Sequence, residues 1–186
     1  MPVFGQFCRE SPGCPMSLLD TSMLVFFSAL MAFAASSDLV SMTIPNRVSL
    51  LLVAGFLAFS ALMGLSWTAI GMHLAAGALV LVITFSMFAC GWIGGGDAKL
   101  AAATAVWCGF PTLMEYSLIA AVLGGLLTLG LLLGRTFMLP AFAQKHAWIV
   151  RLHDKTTGIP YGIALAAAGL IIFPETAIWK AAFAVV

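Results

Sequence analysis

Gly94-Gly95-Gly96-Asp97-Ala98-Lys99-Leu100 sets a carboxylate directly behind three glycines, at the threshold of an apolar run. Only seven of the 186 residues are Asp or Glu. An acid near hydrocarbon costs about 2.5–3.5 kcal/mol on insertion scales. Such a residue needs a compensating role, and glycine beside it lets another backbone approach closely. Working outward from this stretch, the chain is 62% hydrophobic and 8% charged, with a mean hydropathy of +1.11. That balance belongs to an integral membrane protein. A net charge of +1 argues against nucleic acid as a partner.

Six apolar segments follow, at about 18–36, 48–66, 69–90, 98–110, 113–134 and 159–173. Each is compared with the roughly 20 residues that a helix needs to cross hydrocarbon. Breaks fall at Pro45-Asn46-Arg47, from Gly64 to Trp67, at the glycine run, at Gly109-Phe110-Pro111 and across the polar stretch 135–158. The expected fold is therefore an all-α integral membrane protein, a six-helix transmembrane bundle. It comprises an N-terminal tail (1–17), a membrane domain (18–173) and a C-terminal tail (174–186). The fourth segment is short, about 20 Å at helical rise. Asp97 then lies inside one interface, which is tolerable only if it faces protein or water.

Arg47, Lys99, Arg135, Lys145, Arg151 and Lys155 fall after the first, third and fifth segments, while Arg9 and Lys180 fall on the other side. The positive-inside rule places the loops 37–47, 91–99 and 135–158 in the cytoplasm and both termini outside. Asp38 and Asp97 then share the cytoplasmic side. Within the long loop, Trp148 and Arg151 suit an interfacial stretch near residues 142–152, and an ordinary loop is the alternative. The first segment carries Ala32-Phe33-Ala34, similar to a signal-peptide cleavage site. The region before it is a poor n-region, because Arg9 is opposed by Glu10 and Asp20, so the segment is read as a retained helix.

Most other polar residues point to no chemistry. Cys8, Cys14, Cys90 and Cys108 form no C-x-x-C pair or ligand cluster, so no metal is expected. Cys8 and Cys14 could form a disulfide or remain free thiols in the tail. His73, alone in mid-segment, reads as a satisfied core histidine. The Gly124-Gly125 pair reads as a close helix contact. No G-x-S-x-G or H-E-x-x-H pattern occurs.

Asp38 and Asp97 remain. Asp97 could cap the helix that begins at Ala98, and Asp38 could be a solvated acid after Ser36-Ser37. Brought together, two carboxylates share a proton, because both do not ionise easily at close range. That suits peptide hydrolysis: one acid takes a proton from water while the other hydrogen-bonds the scissile carbonyl. Lys99, two residues beyond Asp97, points away from it on a regular helix and reads as an interfacial anchor.

Asp38-Leu39-Val40-Ser41-Met42-Thr43-Ile44-Pro45-Asn46-Arg47 resembles the first aspartate motif of type IV prepilin leader peptidases. Gly94-Gly95-Gly96-Asp97-Ala98-Lys99-Leu100 resembles the second, which is also a G-x-G-D pattern. Ile159-Pro160-Tyr161-Gly162-Ile163-Ala164 resembles the Pro-Tyr-Gly segment that opens the family's last conserved helix. The resemblance implies a six-helix aspartic endopeptidase of a bacterial inner membrane, without cofactor, with Asp38 and Asp97 as the catalytic pair. Gly94, Gly95, Gly96, Lys99, Pro45 and Asn46 are the supporting residues. It also implies a pilin-like substrate whose short basic leader is cut on the cytoplasmic side after a glycine. The spacer between Asp38 and Ile44 carries no basic residue, unlike many members. The C-x-x-C insert of long members is absent, so methyltransferase activity is not carried over. The chain is similar to the short form of tight-adherence (Flp-type) pilus systems.

Two rival readings fit the sequence less well. A presenilin-like protease needs a Tyr-Asp partner, and neither Tyr116 nor Tyr161 precedes an Asp. A small proton- or ion-coupled transporter would use the two aspartates near the midplane, whereas both lie near one face, and the two halves show no repeat.

Overall fold

The computed structural model describes residues 18–140 and 143–183. Among them the protein is all-helical, with seven α-helices. These are α1 (Leu18–Ser41), α2 (Asn46–Leu62), α3 (Trp67–Ala89), α4 (Gly95–Gly134), α5 (Ala147–His153), α6 (Gly162–Ile172) and α7 (Ala177–Phe183). Three of them, α1, α3 and α4, are long and apolar enough to cross a membrane, while α2 and the helical stretch from Gly162 are apolar but shorter. The Cys8 and Cys14 alternatives and the N-terminal tail lie outside the described residues.

Six separate segments are expected from the sequence, and two of them are joined among the described residues. Segments four and five run on as the 40-residue α4. The break expected at Gly109-Phe110-Pro111 is a single residue, Gly109, with φ 63° and ψ 177°. That region is open essentially to glycine alone. Pro111 has no N–H to return to the Trp107 carbonyl, which makes an interruption there less costly. Carbonyls before the break are met by side chains instead. His73 Nδ1 donates to Val106 O at 2.8 Å, and Thr112 Oγ1 donates to Cys108 O at 2.9 Å. A dry interior demands such replacements. His73 is thus a satisfied core histidine, as its isolation in the sequence implied.

The first arm of α4, 95–108, is the central element. From Ala98 to Gly109 every residue except Lys99 is buried. Alanines 101, 102, 103 and 105 allow neighbouring backbones to come close. α4 packs against α2, α3 and α6, while α1 packs against α6 and α2. Trp107 fills the middle of the bundle, fully buried, and its Nε1 donates to Leu52 O at 2.9 Å. Phe27 stacks on Phe173 at 4.1 Å, and both rings face Trp107.

The periphery is apolar as well. Met114, Leu118, Val122, Leu126, Leu129 and Leu133 are exposed at helical spacing along the second arm of α4. Val82, Ile83 and Phe85 are exposed on α3. Water does not accommodate such faces, and hydrocarbon does.

Two expected loops are more ordered than the sequence implied. Helix α1 continues through Asp38 to Ser41, so the loop 37–47 shrinks to residues 42–45. Ser36 and Ser41 look like helix terminators, yet their hydroxyls bond back to Ala32 O and Ser37 O at 2.7 Å each. The polar stretch 135–158 contains a 3-10 turn at Ala143–Lys145 and the helix α5. Arg135, only 7% exposed, ties this stretch down through Leu152 O at 2.9 Å and Gly158 O at 3.0 Å. In the segment expected as a C-terminal tail, α7 buries Ile178, and Lys180 pairs with Glu175 at 2.8 Å.

Candidate active site

Three helix ends meet at one pole of the bundle. Asp38 stands in the last turn of α1, 5% exposed, and its Oδ2 accepts the Gly162 N–H at 2.7 Å. It is therefore a buried acid, not a solvated one. A carboxylate at a helix C-terminus meets the negative end of the helix dipole. The N-terminus of α6, arriving at the same carboxylate, supplies the opposite sign.

Asp97 is the third residue of α4. The cap position is Gly94, without a side-chain hydrogen bond. The Asp97 carboxylate reaches back towards the Gly94 N–H, one half of a capping box. The Gly162 N–H and the Asp38 carboxylate act on it as well. The structure thus gathers both sequence-predicted acids around one backbone donor. Asp97 Oδ1 is buried and accepts no hydrogen bond among the described residues.

The residues 42–45 link the acids mechanically. Met42 N donates to Asp38 O at 2.8 Å, and Met42 itself takes a positive φ of 54° to leave the helix. Ser37 Oγ then donates to Thr43 O at 2.8 Å, holding the segment against α1. Ile44 becomes a wedge between α4 and α6. A Cβ on Gly96 would stand 3.2 Å from Ile44 Cβ, and one on Gly162 would stand 2.6 Å from Ile44 Cδ1.

The three glycines of the run face different neighbours. Gly94 lies against Asp97, with Oδ2 3.0 Å from where a Cβ would be. Gly95 lies against the Phe88 ring at 3.2 Å, and Gly96 against Ile44. Lys99 points out from the acids, and its Nζ donates to Asn46 Oδ1 at 2.9 Å on the exposed rim. Pro45 is the exposed cap residue of α2. Arg151 of α5 reaches the same pole, donating from Nη1 to Val40 O at 2.9 Å. Asp154, the acid of the long loop, serves a turn. Its Oδ1 accepts from Thr156 N and Oγ1 at 2.8 Å each, which holds the carboxyl below its usual range.

Gly162 and Ile44 stand inside the motifs but carry no signal in the sequence that marks them as site residues. A backbone N–H has no residue-type signature, and a leucine-like side chain in an apolar chain attracts no notice. Among the described residues no three His, Cys, Asp or Glu side chains gather as a metal would require.

A helical protein with three helices of membrane-crossing length and two acids from distant segments gathered at one pole is a narrow class. The model of the type IV leader peptidase family matches residues 25–129, more than half of the chain. The chain belongs to that family, and membership makes it a peptidase. Both aspartates lie inside the matched stretch, and Gly162 lies beyond it. No curated protein and no solved structure matches the chain.

Proposed function

We propose that this protein is a membrane aspartic endopeptidase that removes the short basic leader of type IV or Flp-like prepilins at the cytoplasmic face of a bacterial inner membrane. Asp38 and Asp97 are its catalytic pair. The observation that carries this reading is the meeting of the ends of α1, α4 and α6, where Gly162 N–H donates to Asp38 and Ile44 packs against both Gly96, next to Asp97, and Gly162. Family membership favours peptide hydrolysis over the transporter reading.

The chemistry follows from the pair. One carboxylate accepts a proton from water as the water oxygen bonds to the scissile carbonyl carbon. The other, protonated, hydrogen-bonds the carbonyl oxygen and donates to it as negative charge develops. On collapse of the tetrahedral species the C–N bond breaks, the first carboxyl gives its proton to the leaving amine, and a hydroxyl of the tetrahedral carbon returns a proton to the second carboxylate as the carbonyl re-forms. Gly94, whose missing side chain leaves space directly beside Asp97 Oδ2, suits the close approach of a substrate backbone.

In the membrane, the two arms of α4 are read as two spans joined at Gly109, giving six with α1, α2, α3 and α6. The clustering of Arg47, Lys99, Arg135 and Arg151 at the pole of the acids agrees with a cytoplasmic site. The test is cleavage of a pilin-like protein bearing a basic leader that ends in glycine. Asp38→Asn and Asp97→Asn each lose at least about 10²-fold in leader cleavage while inserting and folding normally. Glu115→Gln retains activity. Near-normal processing by either aspartate variant overturns the assignment.

A further inference from the structure

Residues 160–162 join the long loop to α6, and each is held differently. Pro160 is fully buried. The Tyr161 ring occupies the place on α4 where a side chain at position 124 would stand. A Cβ on Gly124 would overlap its Cε2, Cζ and Oη atoms. One turn earlier on the same helix, Ala120 O accepts the Tyr161 hydroxyl at 3.3 Å. The next residue in the chain is Gly162, whose N–H donates to Asp38 Oδ2 at 2.7 Å. One residue is therefore seated on α4 while its neighbour bonds the acid on α1. Gly125, adjacent to Gly124, faces open space, with nothing within 4 Å of where its Cβ would be.

We propose that Gly124 and Tyr161 are positioning residues for the aspartate pair: the notch at Gly124 seats the Tyr161 ring, and the seated ring fixes the Gly162 N–H that orients Asp38. This rests on the reading of Asp38 and Asp97 as the catalytic pair. Neither residue hydrogen-bonds an acid; the Tyr161 hydroxyl lies within electrostatic reach of Asp97, while the positioning of Asp38 runs through Gly162. A methyl at 124 forces the ring outward by about 1 Å to restore ordinary contact. The peptide after Tyr161 moves with it. A 2.7 Å hydrogen bond is lost once its length exceeds roughly 3.2 Å.

The experiment uses the full-length protein, purified in detergent. Its substrate is a pilin-like protein carrying a short basic leader, a glycine and an apolar segment. Thermal stability, kcat, KM and the pH–rate profile are measured per folded molecule. Gly124→Ala lowers kcat by about 10- to 100-fold, the scale of a 1 Å misplacement, with KM unchanged and the pH–rate profile displaced. Gly125→Ala does neither. In a Tyr161→Leu background, which empties the notch, Gly124→Ala causes no further loss. Should Gly124→Ala fail to fold, Tyr161→Leu and Tyr161→Phe carry the test: Leu shows the same fall in kcat at unchanged KM, and Phe, which keeps the seated ring and loses only the hydroxyl, does not. The proposal is overturned if folded Gly124→Ala matches Gly125→Ala in kcat, if the Gly124 and Tyr161 effects multiply independently, or if Tyr161→Leu cleaves normally. Asp38→Asn runs beside them. If it is inactive while Gly124→Ala is normal, only the positioning inference falls. If it is active, both readings fall.

Discussion

Gly162→Ala is the most direct probe of how the site is held. The substitution keeps the backbone N–H and adds only a methyl group. That methyl would stand 2.8 Å from Asp38 Oδ2, 3.1 Å from Asp38 Cγ and 2.6 Å from Ile44 Cδ1, where ordinary contact begins near 3.4 Å. The Ile44 terminus can rotate away. The Asp38 carboxylate cannot retreat freely, because it accepts the N–H of the same residue at 2.7 Å. It must move by about half an ångström or more, or surrender the hydrogen bond. Misplacement on that scale lowers kcat by roughly 10- to 100-fold. In barrier terms this is about 1.4–2.7 kcal/mol. The assay is single-turnover leader cleavage per folded molecule, with thermal stability in detergent as the control for folding. A folded Gly162→Ala protein with unchanged kcat would refute the claim that the junction before α6 positions Asp38.

Gly109→Ala destabilises the protein by about 1–3 kcal/mol, because its φ of 63° and ψ of 177° exclude a side chain, and a Cβ would also stand 2.7 Å from His73 Cε1. Denaturant unfolding in detergent reads this loss, and unchanged stability would mean that the arms of α4 do not need the break. Asp154 has its folded pKa lowered by Thr156, so its stabilisation of the turn is present above the ordinary carboxylate value and lost as pH falls through the lowered one. Hydrogen exchange at 154–157 should therefore rise only in acid, and Asp154→Asn should leave leader cleavage at neutral pH unaltered. Thr156→Cys, in a cysteine-free background, should resist an impermeant thiol reagent in intact cells and react in inverted vesicles. The reverse pattern would place the pole of the acids outside.

Much of the fold was legible because glycine and proline punctuate it. Breaks read at Pro45, between Gly64 and Trp67, and at the glycine run coincide with the starts of α2, α3 and α4. The acids were legible for a different reason: in a chain with seven carboxylates, each needs an account. What escaped was conformational. Ser36-Ser37-Asp38 reads as a polar helix end, but serine hydroxyls that return to carbonyls four residues back let the helix continue. Gly109-Phe110-Pro111 reads as a segment boundary, whereas one glycine conformation suffices and the helix resumes. Helix α5 falls within the stretch 142–152 that Trp148 and Arg151 mark as interfacial, but at seven residues it is too short for a helical period to show in the sequence.

The charge arrangement at the pole carries a final implication. Among the described residues neither aspartate forms an ion pair, although six of the chain's eight Lys and Arg residues fall in the loops assigned to this side. Lys99 is turned to Asn46, Arg151 to Val40 O, and Arg135 to Leu152 O and Gly158 O. These three cations bind carbonyl and amide oxygens, not the acids. A guanidinium or ammonium bound to either carboxylate would favour its ionised form and remove the shared proton that acid–base hydrolysis needs. The backbone donor at the start of α6 meets the same desolvation problem with a partial charge in place of a full one. Glycine at 162 is what lets the start of α6 come this close to Asp38, because a Cβ there would stand 2.8 Å from Asp38 Oδ2.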